Sequence, residues 1–354
     1  TGGGLTLVDV VLDHCSATGN GAAIDVSTAD ALPVTLDRVA VVAPKAIGDG
    51  GVILLTSAPV VIRRSSITNG RAPRFAGLYR GSGTATTLDQ VDIRGDRSTA
   101  GPDAAFWIQD GAGTTTFRRV RVIGNTATDS GGGGFIRAHA IRITDTEISG
   151  NVALAATALA VVGDTATATL TMERTTIAQN RAFGSGPGAG LVNESDLTAT
   201  LRNVSIVGNG ASGISVGGGV LTTAPLVLRN TTIAGNTAGQ GSGIYTSSNV
   251  DAANSIVDGG CGIGGTTTSR GGNIDRGDSC GFTAATDRRM VDPLLDVLGA
   301  HGGFVRTIGL RKGSPAIDHA LRAFCPAVDA RGVRRPRDGN GDRRKVCDIG
   351  AFER

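Results

Sequence analysis

Along most of the chain, apolar residues recur in short alternating runs separated by polar and glycine-rich turns, and the same run keeps returning. Phe117 to Asn125, Ile143 to Asn151, Met172 to Asn180, Leu201 to Asn209 and Leu228 to Asn236 share one order. Each has an apolar residue, two variable residues, Val or Thr, one variable residue, Ile or Val, and a turn ending in Asn. Weaker copies are read at Leu88 to Asp96, Ile62 to Gly70, Leu36 to Pro44 and Leu12 to Asn20, giving nine registers at steps of 24 to 29 residues. A second apolar run, led by glycine, follows most turns, as in Gly51 to Leu55, Gly134 to Ile136, Gly190 to Val192, Gly219 to Leu221 and Gly243 to Tyr245. Period-two alternation predicts strands, and no window holds a helical period. Repeats of this length without helices or a leucine-rich signature predict a solenoid with about three short strands per coil. The expected fold is all-β: a right-handed, single-stranded parallel β-helix over residues 1–290, closed by an irregular, disulfide-linked cap over 291–354.

Two columns support stacking. Asn125, Asn151, Asn180, Asn209 and Asn236 hold one turn position in five successive copies, where stacked amides can bond to one another as an asparagine ladder. Between the Val and Ile positions run Asp92, Arg121 and Glu147, with Arg119, Asp145 and Arg174 beside them. Opposite charges one coil apart predict ladders of ion pairs on the outer surface.

Composition changes this picture little. With 55 glycines and 3% aromatic residues, the interior must be built from Val, Ile, Leu and Ala, and many turns are implied. A net charge of +3 is too small to mark a nucleic-acid surface. No stretch approaches a membrane span, and a monomer without membrane insertion is expected. Cys15 is read as a buried thiol at the inward Val/Thr position of the first copy. Cys261 with Cys280 and Cys325 with Cys347 bracket loops of about twenty residues, read as disulfides rather than a metal site because His14, His139, His301 and His319 lack ligand spacing. Disulfides imply an oxidising compartment, hence an extracellular or cell-surface location. The repeat is already running at Thr1, so an N-terminal cap and an export signal are expected upstream. The segment from Asp292 to Arg354 is expected to cover the end of the stack, where an open last coil would expose apolar side chains and unpaired strand edges.

Gly271-Gly272-Asn273-Ile274, Cys280-Gly281-Phe282, Asp292-Pro293-Leu294-Leu295, Gly313 to Asp318, Cys325-Pro326, Asp329-Ala330-Arg331-Gly332 and Cys347 to Glu353 form an ordered set. Over about the last ninety residues this set resembles the choice-of-anchor Q family of bacterial surface proteins. The resemblance implies an exported protein held at the cell surface by one of several alternative C-terminal anchors, with no activity attached to the domain. His301, Phe304 and Ile308 stand where that family carries Asn, Pro and His, so this stretch is assigned no role.

Candidate chemistry is sparse. Asp338, Asn340 and Asp342 alternate oxygen ligands with glycine as calcium loops do, but Arg343 and Ile349 replace the glycine and bidentate Glu of an EF-hand. A polar turn is the plainer reading, with structural calcium as the only cofactor considered. Because many β-helices act on polysaccharides, Asp89, Asp92 and Asp110 with Arg119 and Arg121 are the best available set for a lyase or hydrolase. Tyr79, Phe106, Trp107, Phe135 and Tyr245 are the aromatic platforms a sugar groove could use. The glycines from Gly131 to Gly134 precede no helix and no Lys-Ser/Thr pair, so they read as a turn rather than a phosphate loop. The expectation is therefore a secreted or surface-held scaffold, adhesive or structural, whose partners are extracellular glycans or surface proteins, with a polysaccharide-degrading enzyme as the alternative.

Overall fold

The computed structural model describes residues 4–26, 32–48, 51–56, 59–155, 158–184, 186–188, 190–193, 195–212 and 215–354. The chain winds into a parallel β-solenoid of about nine turns. One column of strands runs from Ile24–Val26 through Ile53–Leu55 and Leu78–Arg80 to Ile244–Thr246 and Cys261–Ile263. The other two columns come from the repeated motif, whose two variable residues mark a sharp bend. The second of them takes a positive φ in turn after turn: Arg38, Arg64, Gln90, Arg119, Asp145, Arg174, Asn203, Asn230 and Asn254 lie between 46° and 58°. Such a residue breaks the period-two rule once. Phe117 before the bend and Val120 after it therefore both point inward, and both are fully buried.

Repetition then fills the interior. Phe117, Ile143, Met172, Leu201 and Leu228 lie in register above one another, as do Val122, Ile148, Ile177, Ile206 and Ile233. All ten are 0% exposed and belong to one continuous core. Val120, Thr146 and Thr175 are vertical neighbours at the third inward position. The Glu147 N–H donates to the Val120 carbonyl and the Thr176 N–H to the Thr146 carbonyl, both at 2.9 Å. Threonine is tolerated there because its hydroxyl donates to a carbonyl of its own strand, Thr146 to Thr144 and Thr175 to Glu173, each at 2.9 Å.

The asparagine ladder forms as expected. Asn125, Asn151 and Asn180 donate from Nδ2 to Oδ1 of the next amide at 2.9, 2.9 and 2.8 Å, and Asn209 donates to Asn236 at 2.9 Å. Each Nδ2 also reaches a strand carbonyl of the preceding turn, from Ile93 for Asn125 to Ile206 for Asn236. Every amide is thus satisfied in the interior, where an unmade bond costs about 1–3 kcal/mol.

The first weak copy is corrected by the strand register. Leu7, not Leu12, pairs with Leu36, and Leu12 pairs with Val41. The run from Leu5 to Asp13 alternates so evenly that either leucine fits the motif. The correction moves Cys15 from the interior to the turn after the strand, where its carbonyl accepts the Lys45 N–H at 2.9 Å and its free thiol is half-buried.

The C-terminal part of the chain is disulfide-linked, as expected. Cys280 and Phe282, 0% exposed and part of the main core, close the far end of the stack, and the Cys261–Cys280 disulfide ties this plug to the last strand of the first column. The last parallel pairing joins Ile274–Asp275 to Arg288–Arg289. Beyond it, an antiparallel hairpin of Leu295–Gly299 and Thr307–Leu310 and the loops to Arg354 lie along the side of the stack. Cys325–Cys347 staples those loops.

Asp96 occupies the next ladder position beyond Asn125. Its N–H donates to Asn125 Oδ1 at 2.9 Å and its Oδ1 accepts the Gly70 N–H at 2.6 Å. Its Oδ2 has no hydrogen-bond partner among the described residues, and burial raises the carboxyl well above the usual carboxylate range. Burial thus disfavours the ionised carboxylate at a position where the fold accommodates an amide. Asp96→Asn is expected to stabilise the fold by about 1–3 kcal/mol. A carboxyl protonated when folded but ionised when unfolded contributes stability that fades as pH rises, so the gain in Tm should be larger at about pH 8 than at about pH 5. An equal gain at both, or a loss, would contradict a neutral Asp96.

Candidate functional site

The carboxylates and arginines read as a catalytic set do not converge. Asp89 sits on the ridge formed by the bends, where Arg118 Nε donates to its Oδ1 at 3.1 Å and Arg119 lies 3.8 Å away. Asp92 is on the outer face of the third column, paired with Arg94 at 3.1 Å. Asp110 is inside the solenoid and 0% exposed, 3.6 Å from an equally buried Arg80. Thr86 and Thr115 donate to its two oxygens at 3.0 and 2.6 Å. Asp110 continues the inward alternation of Phe106 and Ile108, and the strand pairing slips next to it, around Gly111. Desolvation raises the Asp110 carboxyl above its ordinary value despite those bonds. Buried within the wall of the fold, it is closed to a polymeric substrate.

The two outward charge columns behave differently. On the bend ridge, the expected pairing forms between Arg174 and Asp145 at 2.7 and 3.0 Å, and Asp37 pairs in the same way with Arg63, Arg64 and Arg38. The column of Asp92, Arg121 and Glu147 is in vertical register, yet its members turn to other partners. Arg121 lies over the Phe304 ring, 4.2 Å from its centroid, and donates to the Phe304 carbonyl at 3.3 Å. Glu147, 6% exposed at its side chain, is bound by Arg306 Nε at 2.7 Å. Further along the same column Thr176 donates to the Arg306 carbonyl at 2.6 Å, and the Thr232 hydroxyl accepts the Ala351 N–H at 3.0 Å. The column ends in Ile256 and Ile274, buried against Ile317 and Ile349. The stretch from His301 to Ile308, assigned no role from sequence, is thus part of the strap that the C-terminal segment lays along this face.

A second set of asparagines, missed in the sequence, holds the strap from the neighbouring ridge. Asn203 Nδ2 donates to the Val328 carbonyl at 2.9 Å, and Asn254 exchanges two bonds with Leu321, at 2.9 and 2.7 Å. With its amide oriented to satisfy both partners, Asn230 joins the Phe324 carbonyl and Arg335 at 2.6 and 3.0 Å. The available signal was the change from Arg or Asp to Asn at the bend position in the last two clear copies, at Asn203 and Asn230.

Within the strap, acidic side chains face inward and serve backbone donors. Asp329 accepts the N–H groups of Arg331 and Val333 on one oxygen and of Glu353 on the other, at 2.8 to 3.0 Å. Asp348 accepts those of Asp318 and Arg354 at 2.8 and 2.7 Å. Glu353 accepts those of Arg337 and Asp348 and lies 3.3 Å from Arg335. Its burial raises the carboxyl to about 7 against the pull of that guanidinium. Asp338, Asn340 and Asp342, the calcium candidates, each accept a loop N–H, from Gly341, Asp342 and Arg344 at 2.6, 2.8 and 2.8 Å. Among the described residues, no group of three or more His, Cys, Asp or Glu is placed to hold a metal.

The aromatic candidates divide. Phe106 is 0% exposed and packs edge-on against Phe117 in the core, 5.2 Å between centroids, so it is withdrawn as a platform. Tyr79 and Trp107 lie on the outer face, at the middle position of the first column. In register along that column run Leu54, Tyr79, Trp107, Phe135, Ala160, Val192, Leu221 and Tyr245. Trp107 stacks on Phe135 at 4.1 Å, and Phe75 bridges Tyr79 and Trp107 at 4.7 and 5.3 Å. Eight consecutive turns thus carry an apolar outer position that an ordinary solvated strand would make polar. Stacking between turns occupies the faces of Trp107 and Phe135 with each other.

The chain matches no protein-family model, no curated protein and no solved structure.

Glu147→Ala should release the hairpin end of the strap without opening the core, because it removes the carboxylate that binds Arg306 and leaves every inward contact in place. Limited proteolysis near Arg306 should then accelerate several-fold at unchanged secondary-structure content. Cleavage at the parent rate would show that the contacts of Arg121 with Phe304, Thr176 with the Arg306 carbonyl and Ile308 with the stack hold the strap without Glu147.

Proposed function

We propose that this chain is an extracellular or cell-surface β-helical scaffold that binds partners along its length and does not transform them. The observation that carries the reading is the apolar outer column from Leu54 to Tyr245, on which Tyr79, Trp107, Phe135 and Tyr245 remain half-buried while Leu54, Val192 and Leu221 are covered. The scattering of Asp89, Asp92 and Asp110 over ridge, outer face and interior supports binding rather than turnover. Two disulfides in the C-terminal part of the chain fit an oxidising compartment. The resemblance of the last ninety or so residues to choice-of-anchor Q proteins agrees with export.

Two measurements test this proposal. Incubation with uronate and neutral polysaccharides should yield neither new reducing ends nor unsaturated products; depolymerisation abolished by Asp92→Ala would overturn the reading. Beads coated with the chain should adhere to arrayed glycans or to isolated bacterial envelopes, and Trp107→Ala should weaken adhesion by roughly tenfold or more, as removal of a central aromatic anchor does. Adhesion insensitive to Trp107→Ala would remove this column from the function.

A further inference from the structure

The strap separates its charges by depth. Asp329, Asp348 and Glu353 are 0%, 0% and 1% exposed and serve backbone donors. Arg322, Arg334, Arg337, Arg343, Arg344 and Lys345 are exposed, and none of their side chains forms an ion pair among the described residues. The acids that reach this surface, Asp318, Asp338 and Asp342, direct their carboxylates to the N–H groups of Asn340, Arg343 and Arg344. A chain with a net charge of only +3 thus carries, between Arg322 and Lys345, six exposed cations without an ion pair among the described residues.

The same segment contains a pocket of about 600 Å³, walled by the Cys325–Cys347 disulfide and by Arg322, Arg335 and Lys345. No acidic side chain lines it. Arg335 is held as a fixed wall by the carbonyls of Asp348 and Gly350 at 3.2 and 2.8 Å, with Glu353 on it at 3.3 Å. Arg322 and Lys345 are exposed side chains at the rim, free to close on a ligand. Pro326, Pro336 and Val346 supply apolar wall. Cations over an apolar wall suit a sugar ring bearing a negative charge. No aromatic side chain lines the pocket to stack a nucleobase. Arg343 and Arg344, exposed and directly before Lys345 in the chain, add positive charge past what a single free anion needs.

We infer that the pocket and its rim bind an acidic polysaccharide, one carboxylate or phosphate group of which sits between Arg322 and Lys345. This inference rests on the scaffold reading above and gives it a partner class.

Affinity electrophoresis of the full chain tests it. Gels containing polygalacturonate test carboxylate, gels containing phosphomannan test phosphate, and dextran and duplex DNA serve as comparisons. Retardation by at least one acidic glycan and none by dextran is expected, weakening steeply with salt as ion release requires. The Arg322→Gln/Lys345→Gln variant should bind about tenfold more weakly. Arg97→Gln/Arg142→Gln, which removes the same charge from exposed positions elsewhere, should change binding less than about twofold. Equal loss in the two double variants, retention by DNA as strong as by the glycans, or no retention by either glycan would overturn the inference. Trp107→Ala should leave this retention intact, so absent retention alongside Trp107-dependent adhesion would sink the pocket while the scaffold reading stood.

Discussion

In-register vertical stacking is the constraint from which the rest of the molecule follows. Once each turn of the chain lies directly on the last, every residue type is judged by the column it joins. Inward columns must be aliphatic or self-satisfied, as Phe117 to Leu228 and Thr146 to Thr175 are. The turn column must supply a donor and an acceptor at each level, which asparagine does from Asn125 to Asn236. Only the outer columns are free to vary, and there the molecule carries its specific chemistry.

How much of this could be read from sequence depended on repetition. Five copies with identical spacing fixed the inward positions, the amide ladder and the parallel arrangement. Where one copy stood alone, the reading slipped: Leu7 and Leu12 fit the motif equally well, and only pairing with Leu36 and Val41 tells them apart. Asp110 was grouped with Asp89 and Asp92 although it continues the inward alternation of Phe106 and Ile108, because its buried partner Arg80 belongs to another coil and no local pattern joins the two. The outer column from Glu147 through Thr176 and Thr232 to Ile256 grows less polar along the stack, a gradient that becomes meaningful only when these residues are known to be vertical neighbours. The pockets and exposed cations of the strap depend on which acids turn inward, and no local pattern distinguishes Asp329 from Asp342.

The C-terminal segment divides two tasks that seemed one. Closing the end of the core falls to Phe282 and the disulfide at Cys280, close to the last turn. The remainder returns along the flank and engages two adjacent outer columns, one through Glu147, Thr176 and Thr232 and the other through Asn203, Asn230 and Asn254. Its own loops bury a small apolar cluster of Leu310, Ala316, Ile317, Ala320 and Ile349 against Ile256 and Ile274, reinforced by a disulfide and by carboxylates serving backbone donors.

This lengthwise grip also acts as a ruler. From Arg121 to Asn254 the strap contacts successive levels of the stack at fixed positions of its own sequence. Inserting or deleting one coil there would misalign every later contact at once, whereas a coil gained or lost before Asp92 would meet no such check. Variation in length among descendants of this chain should therefore gather in its first third.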